Sequence, residues 1–139
     1  MQEAHVWSHR LDLDHGDLDG EHHLQIAMIG ALAEAIEQRR PVMARRLAEQ
    51  LEKYSSAHFV GEELVMEASE YPRAAAHHAE HEGLLQRIAE LRGALDGEDL
   101  DAPHSLALDL LSGLGAHIAS SDRAFAQHTR ERRDPAPRA

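Results

Sequence analysis

Apolar residues recur at helical spacing through most of the chain. His22, Ile26, Ile29, Ala33 and Ile36 follow one another at steps of four and three, one face of a helix. This stretch is predicted to begin near Leu18-Asp19, with Asp19 as N-cap. It closes at Arg39-Arg40-Pro41, where basic residues suit a helix C-terminus and Pro41 suits the first turn of the next helix. A second face runs through Leu47, Leu51, Tyr54, His58, Glu62 and Met66 and stops before Tyr71-Pro72. A third carries His77, His81, Leu84, Ile88, Leu91 and Leu95 and halts at Gly97. A fourth begins around Pro103 and carries Leu106, Leu110, Leu114, His117 and Phe125. No alternating β-branched run suggests a strand.

Four such helices with short breaks predict an all-α fold, an antiparallel up-down-up-down four-helix bundle. Residues 1–129 are expected to form one domain. Within it, residues 1–17 show no period and are read as an extended N-terminal arm, with Trp7 tucked against the bundle. From Arg130 the chain is charged and broken by proline, so residues 130–139 are predicted to be a disordered tail.

Composition narrows the chemistry. The chain has 139 residues, 12 histidines, no cysteine and a formal charge of −11. Without cysteine there is no disulfide, no thiolate metal site and no cysteine nucleophile. The negative balance argues against a nucleic-acid partner. No apolar run approaches the roughly 20 residues needed to span a membrane. The first residues lack the basic and apolar regions of a signal peptide, so the expected location is cytoplasmic.

The polar residues on the apolar faces are the informative ones. His58 and Glu62 are four apart, as are His77 and His81, which puts each pair on one helix face. His117 precedes Asp122 by five, and His22 stands upstream. Imidazole and carboxylate suit iron and its first-row neighbours. Seven such groups are too many for one ordinary ion and suit two ions bridged by carboxylates. In an antiparallel bundle all seven fall within roughly 6–20 Å of the same end, at 1.5 Å rise per residue. Singly, each has an ordinary explanation: a buried histidine is usually a hydrogen-bonded core residue, and a His–Glu pair is usually solvated. Together, seven unpaired polar groups in a bundle interior would each cost about 1–3 kcal/mol to bury, and metal ligation removes that cost. Five residues along an α-helix is a rotation of about 140°, so His117 and Asp122 are expected to reach the centre from different sides.

The segments Leu18-Asp19-Gly20-Glu21-His22, His58-Phe59-Val60-Gly61-Glu62, His77-x-x-x-His81 and His117-Ile118-x-x-x-Asp122 together resemble the hemerythrin family, in its bacterial branch. Trp7 stands at the spacing of that family's N-terminal tryptophan, and the resemblance runs from about Trp7 to Phe125. It implies a non-haem di-iron centre with an oxo or hydroxo bridge. His77, His81 and His117 would hold one iron, His22 and His58 the other, with Glu62 and Asp122 bridging. The second iron would keep an open position for dioxygen. Phe59, Met66, Leu114 and Ile118 resemble the family's oxygen-pocket residues.

Two pocket positions depart from the family pattern. Gln25 stands where a leucine is usual, and Gly113 where a tryptophan is usual. The expectation is a wetter pocket, with Gln25 able to donate to a bound oxygen species. The implied function is reversible dioxygen binding, as carrier, store or delivery protein. A di-iron enzyme acting on oxygen, peroxide or nitric oxide is the second reading, and an oxygen or redox sensor with a separate partner the third. Glu21 and Glu63 are candidates to orient ligand imidazoles from behind. His5, His9, His15, His23, His78, His104 and His128 are read as surface residues.

Overall fold

The computed structural model describes residue 13 and residues 16–133. Helix α1 spans Gly16–Glu37, α2 Pro41–Ala68, α3 Ala74–Ala94 and α4 Asp101–His117. A π-helical turn, Ile118–Asp122, follows α4 without a break and leads into α5, Arg123–Arg133. Among the described residues there is no strand. Each helix packs on the next in sequence and α1 packs on α4, which closes the ring of a four-helix bundle. The last rod, α4 to α5, runs to Arg133, past residue 129 where the sequence placed the end of the fold. The N-terminal arm, Trp7 included, lies outside the described residues except for Leu13, Gly16 and Asp17. Helix α1 already holds the last two. Leu13 is buried, and Arg130 donates to its carbonyl at 2.8 Å.

Helix ends fall close to the predicted positions, with one change of role. Asp19 lies inside α1 and is not its N-cap. Its carboxylate instead accepts from the backbone N–H of Leu13 at 2.9 Å, tying the preceding chain to the first turn. Helices α1 and α2 both end in paired bonds of the Schellman type. Arg40 N–H donates to Ala35 and Arg39 N–H to Ile36, and Tyr71 N–H donates to Met66 and Glu70 N–H to Glu67. The left-handed position in these two turns is filled by Arg39 at φ 58° and Glu70 at φ 56°, where glycine is usual.

The bundle interior has two halves. Ile29, Leu32, Leu51, Ile88, Leu91 and Leu110 fill one half with hydrocarbon. The other holds the histidines and carboxylates and is capped by Met66, Tyr71 and Phe125, all buried. Tyr71 and Phe125 pack ring on ring with centroids 5.1 Å apart, and Phe125 meets the edge of His77 at 6.2 Å. Leu47 and Tyr54, expected on the inner face of α2, lie at its half-buried margin.

Candidate metal centre

The seven residues come from all four helices and meet at one level. Each is nearly sealed from solvent: His22 is 0% exposed, Asp122 1% and His58, the most open, 6%. Glu62 presents its two oxygens to two different groups of histidines. Oε1 lies 2.9 Å from His77 Nε2 and 3.1 Å from His81 Nε2. Oε2 lies 3.3 Å from His58 Nε2 and 3.8 Å from His22 Nε2. Asp122 divides in the same way. Its Oδ1 is 2.8 Å from His77 Nε2 and 3.2 Å from His117 Nε2, and its Oδ2 is 3.0 Å from His22 Nε2. Two clusters with ligand geometry result, one of His77, His81, His117, Glu62 and Asp122, the other of His22, His58 and Glu62.

Most of these inward atoms make no hydrogen bond despite their proximity. His22 Nε2, His58 Nε2, His81 Nε2, His117 Nε2, Glu62 Oε2 and Asp122 Oδ1 are buried without a partner. Native interiors leave few such groups. Lone pairs that converge yet do not bond one another are what a cation would satisfy, so the cluster fits a metal site.

The π turn corrects the expectation for His117 and Asp122. With its i→i+5 hydrogen bonds, a π turn stacks residues five apart. The pair therefore approaches from the same side, at 3.2 Å, and not from positions 140° apart. Side chains take up carbonyls along this widened turn: Ser120 donates to Ala116 at 2.7 Å and Arg123 to Ala119 at 3.2 Å.

Without a cation the carboxylates hold protons on the imidazoles. Burial pushes His22 and His77 down, but the Asp122 and Glu62 carboxylates beside them favour the charged imidazolium, outweigh it and raise both to about 9. His58 is raised, Glu62 and Glu21 overcoming burial, and His117 is raised by Asp122 and Glu80 against the same burial. Burial raises Glu62 and Asp122, yet the surrounding histidines bring both well below the usual carboxylate range.

Three glutamates hold ligand rings from behind, each across a helix boundary. Glu21 of α1 pairs with His58 Nδ1 on α2. Glu63 of α2 meets His81 Nδ1 on α3 at 2.6 Å. Glu80 of α3 meets His117 Nδ1 on α4 at 2.8 Å and also accepts from Ser121 Oγ at 2.7 and 2.8 Å. A bonded Nδ1–H fixes the tautomer that leaves Nε2 free to ligate. Glu80 was missed in the sequence, although it stands directly before His81 as Glu21 stands before His22.

The expected pocket residues do not form one group. Phe59 lies flat on His81, centroids 4.0 Å apart and 11° between planes. Ile118 is buried directly after His117, and Leu114 one turn before it. By helical register Gln25 and Leu114 lie one turn from the ligands toward the hydrocarbon half, whereas Met66 lies one turn past Glu62 toward the capped end. Gly113 is half-buried and faces α3, where the Arg87 guanidinium occupies the space a Cβ would need: Nη1 would stand 2.1 Å from it. The space beside Gly113 is thus partly filled by arginine, next to a surface cleft of about 400 Å³ that His117 and Glu80 also line. Ser55, not anticipated, is fully buried and accepts from Gln25 Nε2 at 2.9 Å.

The remaining histidines divide. His23 and His78 are exposed, as expected, but His104 and His128 are half-buried, the latter packed on Tyr71 at 4.9 Å. His5, His9 and His15 lie outside the described residues.

A four-helix bundle with a sealed cluster of five histidines and two carboxylates, and no cysteine, has the donor set of a metal-binding protein. The chain belongs to the hemerythrin family: the model of the hemerythrin HHE cation binding domain matches residues 14–128. It is 30% identical over 126 residues to a bacteriohemerythrin of Stenotrophomonas maltophilia, covering 90% of this chain and 81% of the relative. It is 28% identical over 131 residues to one of Pseudomonas paraeruginosa, with the same coverage. Among the described residues, no helix is long and apolar enough to cross a membrane.

Proposed function

We propose that this chain holds two iron ions and takes up dioxygen reversibly. His77, His81 and His117 would hold one ion and His22 and His58 the other, and Glu62 and Asp122 would be shared through their separate oxygens, with an oxo or hydroxo group between the ions. The single observation that carries this reading is the division of both carboxylates, each giving one oxygen to either group of histidines. When bound, the iron pair supplies the electrons and the open coordination position that oxygen uptake needs.

The chain's own residues prepare that position unequally. Three imidazoles are available to one ion and two to the other, so an open position would fall on the side of His22 and His58. Phe59, Leu114 and Ile118 keep the surroundings apolar, and Tyr71 and Phe125 exclude water from the capped end. Two carboxylates and a hydroxide offset three of the four charges of a reduced pair, which makes its burial tolerable.

A second reading, a redox enzyme acting on oxygen, peroxide or nitric oxide, is favoured by one observation: a carboxamide, Gln25, is buried one turn from His22. Metal analysis should find two irons per chain. Anaerobic reduction followed by oxygen should give a charge-transfer band that disappears on degassing. A band that decays to the oxidised form, with turnover when reductant is supplied, would favour the enzyme. One ion per chain, or no iron, would sink both.

A further inference from the structure

We propose that Gln25 and Ser55 form a ligand-selecting pair, in which the Gln25 carboxamide oxygen accepts a hydrogen bond from a small ligand carrying an O–H group. The proposal rests on the reading above, in which the vacant position lies beside His22 and His58.

Gln25 follows His22 by three residues on α1, and Ser55 precedes His58 by three on α2. Both therefore lie one turn from the two imidazoles that serve the less crowded ion, at the α1–α2 interface. The imidazoles themselves are in edge contact, centroids 5.2 Å apart. Gln25 is 1% exposed and Ser55 0%.

The two polar ends of Gln25 are treated differently. Its Nε2 donates to Ser55 Oγ at 2.9 Å, and its Oε1 is buried with no partner. The sequence suggested a donor to a bound oxygen species. The structure instead commits the amide nitrogen to Ser55 and leaves the acceptor idle. A buried carbonyl without a donor is unfavourable, and the same carbonyl facing an anion is worse. What relieves it is a hydrogen-bond donor small enough for a sealed interior: water, hydroxide or hydrogen peroxide. Azide, which only accepts, fits such a carbonyl poorly. A leucine here would make no such distinction.

The test compares the iron-loaded, oxidised wild type with Gln25→Met, which keeps chain length and removes the acceptor. Two probes of the same position are titrated optically: azide, and hydroxide through the pH of its binding transition. Gln25→Met should bind azide about tenfold more tightly, the scale of one buried polar conflict removed. Its hydroxide transition should move up by about one pH unit, the same scale with opposite sign. A general change in access or packing would shift both affinities in one direction, which would overturn the proposal, as would no shift in either. Weaker azide binding would mean that the amide nitrogen faces the ligand, and the acceptor assignment falls.

A metal-free arm keeps the pair testable if iron loading fails, which would count against the di-iron reading and not against Gln25. With both polar partners replaced, Gln25→Met/Ser55→Ala should be at least as stable to urea as wild type in the presence of chelator, because it removes an unsatisfied acceptor. A less stable double variant would show that Oε1 has a partner in the protein and would refute the proposal.

Discussion

Replacing Glu80 by alanine should weaken one metal ion selectively and barely disturb the fold. The carboxylate accepts from His117 Nδ1 at 2.8 Å and is itself held by Ser121 Oγ at 2.7 and 2.8 Å. Its loss frees the His117 ring to rotate and to carry its proton on the wrong nitrogen. Partners of this kind are worth about 10–100-fold in metal affinity, or roughly 1.4–2.7 kcal/mol. The Glu80 side chain is 46% exposed, so solvent can take over much of its role in the metal-free protein. Stability there should fall by less than about 1 kcal/mol. Glu21→Ala is the mirror experiment, since it releases His58 on the other side of the centre. Cobalt(II) titration, read optically and fitted to two sites, should show Glu80→Ala weakening the three-histidine site and Glu21→Ala the two-histidine site. Glu63→Ala should act like Glu80→Ala, through His81, and the double variant should lose roughly the product of the single effects because the two ligands are held separately. Equal weakening of both sites by either variant, or unchanged affinity with Glu80→Ala, would refute this account of ring orientation.

Three further outcomes are expected. The metal-free protein should lose stability to urea as pH rises from about 6.5 to about 9. His22 and His77 are raised from 6.5 to about 9 in the folded state, so their contribution is full below 6.5 and gone above 9. Glu62 and Asp122, lowered from 4.5 and 3.8, add stability that is lost as pH falls below about 4, and a profile flat from 6.5 to 9 would contradict the proton sharing. Phe59→Ala should cost about 3–5 kcal/mol by urea unfolding, since the ring is buried and lies flat on His81, and a loss under 1 kcal/mol would mean that the site collapses around it. Glu70→Gly should raise stability by up to about 1 kcal/mol by relieving a left-handed φ of 56° without altering metal content.

The architecture was legible because each helix repeats its apolar face for several turns and ends at residues that fit caps. The seven polar residues stood out for a related reason: imidazole and carboxylate four or five apart on otherwise apolar stripes have few explanations. The π turn was not. Ile118-Ala119-Ser120-Ser121-Asp122 holds no proline or glycine to break an ordinary helix, so a rigid α-helical count separated His117 from Asp122 by a rotation that the structure does not have. Ser55 and Glu80 were missed because a small hydroxyl on an inner face and an acid on an outer face are commonplace singly. Their roles depend on a neighbouring helix, and no periodicity within one helix reports that. Gln25 was noticed, but which end of its amide is idle depends on Ser55, thirty residues away.

Buried pairs along the last rod occur at Leu110–Leu111 and His117–Ile118, seven residues apart, and then at Phe125–Ala126, eight further on. Two helical turns take up about seven residues, so the rod contains one residue more than its packing requires. The surplus is absorbed between His117 and Asp122, and the helix beyond stays in register with the core. Removing one residue from this stretch would leave a straighter helix with the same buried face, while changing how far Asp122 reaches toward the other ligands. In this rod the hydrophobic frame and the ligand frame are therefore counted separately, and the bundle could gain or lose one without rewriting the other.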